Sequence, residues 1–68
     1  MPLPDNEYNK IKMLYKLSNI ASFIKIHAMR DARDTQDQKL ITFLTESEKQ
    51  LDAMITNLYS LLCNSEKR

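Results

Sequence analysis

His27 and Cys63 are the residues of this sequence whose types most often serve in catalysis or metal binding, and each is the only one of its kind. An imidazole can act as a general base or a metal ligand, and a thiolate can act as a nucleophile. Such sites need several converging groups, and neither residue has a companion of the required type nearby. A lone histidine and a lone cysteine form neither a disulfide framework nor a zinc site within one chain. We therefore expect no metal and no cofactor, and for Cys63 a small buried or half-buried thiol.

The carboxylates of the second half of the chain form no catalytic pair. Glu46, Glu48 and Asp52 point around a helix rather than toward one spot. The sequence contains no glycine, so it has no glycine-rich loop that could hold a phosphate. We expect that the protein is not an enzyme.

A basic face on the first half of the chain raises the possibility of nucleic-acid binding. Lys12, Lys16 and Arg30 lie on a common outer face of the predicted first helix. The formal net charge is only +1, and no strongly basic cluster or groove-reading element accompanies these residues. We interpret this face as a solvated helix surface and expect no nucleic-acid partner.

Glycine is absent and both prolines precede residue 5, so the sequence predicts long helices. These helices must carry all of the side chains named above. Pro4 and Asp5 predict the start of the first helix, at about residues 5–31. The turn is expected at about residues 31–35, the only extended run without large apolar residues. Thr35 and Gln38 fit a capping box that would start a second helix over about residues 35–64. The prediction is one all-α domain over residues 1–68, an antiparallel two-helix hairpin.

The apolar spacing of the two helices predicts how they pack. At about 100° per residue, one stripe of the first helix consists of Leu14, Leu17, Ala21, Ile24 and Ala28. The stripe of the second helix consists of Ile41, Leu44, Leu51, Ile55, Leu58 and Leu62, interrupted by Glu48. The second helix has a polar reverse side, and the spacing is coiled-coil-like. The first helix is mainly basic and the second mainly acidic, which favours antiparallel pairing.

The first helix also has apolar side chains on the side away from this stripe. Tyr8, Tyr15, Phe23 and Ile26 lie roughly opposite it, so one neighbouring helix cannot cover both sides. In a chain this short the second covering surface must come from another molecule, which completes a helical bundle. The predicted partner-binding residues are Tyr8, Tyr15, Ile20, Phe23, Ile26, Phe43, Met54 and Leu61. The covering molecule is either a different protein or a second copy in a homodimeric four-helix bundle.

The sequence also suggests a compartment. No apolar run is long enough to span a bilayer or to resemble a signal peptide, and the single unpaired thiol suits a reducing environment. We therefore expect a cytoplasmic protein without a membrane partner.

The pattern as a whole resembles a known family. The spacing of the first helix is set by Ile11, Leu14, Leu17, Ala21, Ile24 and Ala28, and that of the second by Lys49, Leu51, Asp52, Ile55 and Leu58. With the glycine-free long helices and a turn near the middle of the chain, this pattern resembles the small helical-hairpin co-chaperones of type III secretion needle subunits, the YscE type. The resemblance covers most of the chain. Its turn lacks the glycine that family members often carry there.

The resemblance implies a role. Co-chaperones of this type bind a tetratricopeptide-like chaperone in the bacterial cytosol, and the pair holds the needle subunit as a soluble monomer, which links the family to virulence. The expectation is therefore a non-catalytic adaptor that contacts a helical-repeat chaperone and a needle subunit.

A second resemblance leads to a different function. The apolar residues Leu14, Leu17, Ile20, Phe23, Ile26, Leu40, Phe43 and Leu51 are similarly spaced in the haemolysin-expression modulators, which associate with nucleoid proteins. The Asp-His-Arg motif of that family is replaced here by Glu48, Lys49 and Gln50. The alternative is thus a small dimeric helical regulator that binds RNA or a nucleoid-associated protein.

Overall fold

The protein is an all-α helical hairpin. The computed structural model describes residues 5–65, and their side chains up to residue 63. Helix α1 covers Asp5–Phe23, a π-helical turn covers Ile24–Ala28, and α2 covers Met29–Asp34. These three segments follow one another without a break, and together they are called the first helix. After a short turn, α3 covers Gln38–Ser65 and packs against all three segments, giving a molecule of 49 × 19 × 13 Å. Pro4, part of the predicted helix start, lies outside the described residues.

The core lies between the two helices and is concentrated next to the turn. Its central cluster contains Ile24, Met29, Ala32 and Leu44. Ala21 and Leu58 are the other buried apolar residues of the described chain, and no described polar side chain is buried. The predicted inner stripes are confirmed, because every residue of both is buried or half-buried. The 3.6-residue periodicity therefore sets which sides of the helices face each other.

The turn lies about three residues later than the predicted position at about residues 31–35. The first helix continues to Asp34 instead of residue 31, and α3 begins at Gln38 instead of about residue 35. Ala32, expected in the turn, is the most deeply buried residue at 1% exposure. The small side chain of Ala32 fits closely against α3. This packing stabilises another turn of the first helix, within the polar run that suggested a turn.

The hydrogen bonds of the turn explain where the first helix ends. The N–H of Asp37 donates to the carbonyl of Ala32, and the N–H of Gln36 donates to the carbonyl of Arg33, at 3.0 and 3.1 Å. This is the Schellman arrangement, and it requires a left-handed residue, a position that Gln36 takes with φ of 56°. The hydroxyl of Thr35 also donates to the carbonyl of Asp31 at 2.9 Å. The left-handed backbone of Gln36 therefore ends the first helix, and Thr35 is its C-cap residue.

The start of α3 depends on Asp37 and not on the predicted capping box. The N–H of Leu40 donates to Oδ1 of Asp37 at 3.2 Å, and the N–H of Ile41 donates to the Asp37 carbonyl at 2.9 Å. Asp37 is thus the N-cap residue, and its carboxylate accepts from an amide that has no partner within the helix. The predicted pairing of Thr35 with Gln38 does not form, because Thr35 is bonded to the preceding helix.

The π-helical turn changes which residues of the first helix face α3. The N–H of Met29 bonds to the carbonyl of Ile24, five residues earlier. In a regular α-helix Met29 would lie about 140° around the axis from Ile24, away from the core. The wider π turn rotates the chain less per residue, and both side chains are buried in the same cluster. Sequence periodicity alone did not predict the burial of Met29 for this reason.

Candidate partner-binding surface

The predicted partner-binding residues are all exposed in the single chain. Their exposed fractions run from 46% at Met54 to 67% at Tyr15. Among the residues that the structure describes, the other exposed large apolar side chains are Ile11, Met13, Leu40 and Tyr59, which the prediction did not include. An apolar surface of this extent on a small protein is typical of an interaction site. Seven of the eight predicted residues form two surfaces.

The first surface is a groove between the first helix and α3. It has a volume of about 290 Å³ and is lined by Ile20, Ile24, Phe43, Ser47, Gln50, Leu51 and Met54. Ile24 is buried and Leu51 is half-buried, so these two side chains form its floor. Ile20, Phe43 and Met54 are exposed along its sides, and these three residues are called the groove face. The structure therefore brings together three of the eight predicted residues, one from the first helix and two from α3.

The second surface lies on the first helix alone. It consists of Tyr8, Tyr15, Phe23 and Ile26, called the outer stripe, none of which lines the groove. The ring of Phe23 lies 5.7 Å from that of His27, and Nζ of Lys12 lies 5.6 Å from the centroid of the Tyr8 ring. These local contacts are made within one helix and leave the outer faces of the rings exposed. Leu61, the remaining predicted residue, is exposed near the end of α3.

Charges are distributed unevenly around these surfaces. Between Tyr8 and Arg30 the first helix has five basic residues and no acidic residue, whereas α3 has three acidic residues between Leu44 and Leu58 and one basic residue. An ion pair joins the described parts of the two helices, between Nζ of Lys25 and Oδ1 of Asp52 at 3.4 Å. Both side chains are about half-exposed, and such pairs contribute about 0 to 1 kcal/mol. The pair thus adds little to stability.

The residues with catalytic potential do not form a site. His27 lies in the π turn and is exposed, with the Phe23 ring beside it. Cys63 is exposed, so the expectation of a buried or half-buried thiol is wrong; at about 100° per residue it lies on the flank of α3 beyond its inner stripe. Across residues 5–65, no group of three or more histidine, cysteine or acidic side chains is placed to hold a metal ion. No helix in this range is both long and apolar enough to cross a membrane.

Comparison with known proteins found no relative of this chain. The chain matches no family model, no curated protein and no solved structure. The arrangement itself offers two apolar surfaces, one on a single helix and one spanning both helices. Surfaces of this kind bind other helices.

Proposed function

We propose that this hairpin is a non-catalytic co-chaperone that binds a helical-repeat chaperone, of the tetratricopeptide type, in the bacterial cytosol. Together they would keep a type III secretion needle subunit soluble. The observation that supports this proposal is the exposed outer stripe, which α3 cannot cover because it packs on another side of the first helix. The resemblance to the YscE type supplies the class of partner.

The size of the outer stripe indicates how much of the hairpin the partner must cover. Complete burial of a large apolar side chain contributes about 1.5–3 kcal/mol, and the four side chains are already partly covered, so burying the rest contributes about 3–7 kcal/mol. Association costs about 4–15 kcal/mol in lost motion. Over most of these ranges the gain from the outer stripe does not offset the cost of association, so in the complex we expect the partner also to contact Ile20, Phe43, Met54 and Leu61.

The mechanism is burial, and it requires no chemical step. The concave surface of a helical-repeat protein can surround a single helix. The first helix would fill part of that surface through Tyr15, Phe23 and Ile26, and the chaperone would hold the assembly surface of the needle subunit. The subunit then stays monomeric until it is released for export.

Co-expression tests this proposal directly. The hairpin is produced together with the tetratricopeptide-like chaperone and the needle subunit of the bacterium that encodes it. We expect a soluble complex of the three proteins, and precipitation or polymerisation of the needle subunit when the hairpin is omitted. A needle subunit that stays soluble and monomeric without the hairpin would contradict the proposed role.

A substitution on the outer stripe tests the contact surface. Phe23→Glu places a charge in the centre of the stripe, and we expect at least about 100-fold weaker binding of the chaperone because a carboxylate would be buried without a partner. The control is Thr56→Glu, which adds the same charge at an exposed position on the polar side of α3. Binding is measured by calorimetry with the purified chaperone. Equal affinities of the two variants would show that the outer stripe is not the contact.

A further inference from the structure

We propose that, without its partner, the protein forms a symmetric dimer in which the groove faces of two copies pack together into a four-helix bundle. The occupant of the groove is thus a second copy of this chain. The dimer does not depend on the proposed function, since it concerns the purified protein alone. It also concerns the groove face and leaves the outer stripe exposed.

The chain exposes more surface than a compact monomer of its mass, and the excess is similar to the area that one protomer buries in a homodimer. A compact monomer of 8.0 kDa exposes about 4,450 Å², whereas this chain exposes 5530 Å². The excess of about 1,100 Å² per chain is close to the share of one protomer in a homodimer interface of about 2,000 Å² or more.

The shape and lining of the groove suit a second hairpin. Its floor of Ile24 and Leu51 is apolar, and Ser47 and Gln50 are its only lining residues with polar side chains. The groove spans both helices, so a two-helix surface covers it better than a single helix. The groove face of a second copy supplies large apolar side chains that can enter it, above all Phe43, which is 65% exposed. The surface is therefore complementary to itself, as a two-fold interface requires.

The distribution of charge selects one of two symmetric arrangements. In the first, the two turns lie at the same end of the bundle, and the first helix of each copy faces α3 of the other. In the second, the turns lie at opposite ends and the two first helices face each other. The first arrangement places the basic first helix opposite the more acidic α3 of the other copy, whereas the second places the two basic first helices opposite each other. At about 100° per residue, Glu48 and Asp52 lie on the side of α3 away from the groove, so the net charge of each helix acts across the interface rather than these side chains. Charge complementarity favours the same-end arrangement.

The mass in solution tests the dimer. We expect sedimentation equilibrium of the purified chain at micromolar concentrations to give twice the mass of the 8.0 kDa chain. Phe43→Glu should raise the dissociation constant at least about 100-fold, because two carboxylates would enter the interface. Phe23→Glu, on the outer stripe, is the matched control and should remain dimeric. Circular dichroism checks that both variants stay helical.

Several results would overturn the proposal. A monomeric mass throughout the concentration series would do so, as would a Phe43→Glu variant that stays dimeric or a Phe23→Glu variant that becomes monomeric. A monomer that forms a one-to-one complex with the chaperone would assign the groove to that partner instead. If the mass is dimeric but no chaperone binds, the proposed function fails and this inference stands.

Cross-linking tests the arrangement and does not depend on a folding-sensitive variant. Ile20 and Met54 line the same groove, so the same-end arrangement places Ile20 of one copy opposite Met54 of the other. In a Cys63→Ser background, Ile20→Cys chains are mixed with Met54→Cys chains and oxidised. We expect disulfide-linked dimers in the mixture and few from either variant alone. Efficient linkage of Ile20→Cys with itself would show that the first helices face each other and would overturn the arrangement.

Discussion

Gln36 takes a backbone conformation that glycine adopts at much lower cost. Its φ of 56° lies in the left-handed region, where a side chain approaches the following carbonyl at a cost of about 1–2 kcal/mol. The Schellman hydrogen bonds of Gln36 and Asp37 require this conformation and compensate for its cost. The turn is therefore held by backbone hydrogen bonds and by Thr35, without the glycine that usually occupies this position.

Replacing Gln36 with glycine should stabilise the hairpin. Gln36→Gly removes the strain, while the added freedom of glycine in the unfolded chain offsets part of the gain, so we expect about 0.5–1 kcal/mol of added stability. Ala53→Gly, at an exposed position inside α3, is the control and should lose about 1 kcal/mol. Urea unfolding at one fixed protein concentration measures both. A loss of stability in Gln36→Gly would show that the Gln36 side chain has a role of its own.

Different interactions end the first helix and start α3. The first helix ends at the left-handed Gln36 and its Schellman hydrogen bonds, whereas α3 starts at the carboxylate of Asp37. The first helix also contains the π turn, and its buried residues Ile24 and Met29 are separated by that turn. The segment between the two helices is thus short and fully hydrogen-bonded at its ends, which fixes the direction of α3 relative to the first helix.

Loss of the carboxylate at the start of α3 should destabilise the fold. Asp37→Ala removes the acceptor for the Leu40 amide, and we expect a loss of about 1 kcal/mol. Asp34→Ala is the matched control. Asp34 is exposed at the C-terminal end of the first helix, where a negative charge interacts unfavourably with the helix dipole. Its removal should therefore be neutral or slightly stabilising. Thermal unfolding at equal concentrations measures both. Equal losses would contradict the assignment of Asp37 as the cap.

The helix faces could be predicted from the sequence, but the points where the helices end and turn could not. Leu17, Ala21 and Leu44 follow the 3.6-residue period, and burial of apolar area dictates that they face the partner helix. The burial of Ala32 and Met29 was not predicted, because the spacing of apolar residues shows neither the left-handed Gln36 nor the π turn. The exposure of Ile20, Phe43 and Met54 was predicted, whereas their meeting in one groove depends on the register of the two helices, which Asp37 and the turn set.

The molecule as a whole is a thin bundle with apolar surfaces and almost no net charge. Its smallest dimension is 13 Å, so few side chains can be fully enclosed. The net charge of +1 gives little long-range attraction to phosphates, even though Lys12, Lys16 and Arg30 lie on one side. Apolar contact is therefore the dominant mode of association available to this shape.

Nucleic-acid binding should accordingly be weak. We expect a fluorescein-labelled 20-nucleotide RNA to show no saturable anisotropy change with up to about 10 µM protein at physiological salt, which excludes all but the weaker part of the range of about 1–100 µM typical of non-specific binding. The Lys12→Ala, Lys16→Ala double variant is the control and should behave like the parent chain. Tight binding that falls steeply with salt and is reduced in the double variant would support the regulator alternative instead.

The placement of the core beside the turn gives the hairpin two ends of unequal strength. Ile24, Met29, Ala32 and Leu44 hold the arms together near Asp37, whereas Leu14 and Leu17, farther along, are only half-buried. Local opening therefore begins at the end of the hairpin away from the turn, while the two helices stay packed beside the turn. Opening at the far end would leave the cluster beside the turn packed, so the two helices can part and close again there without global unfolding.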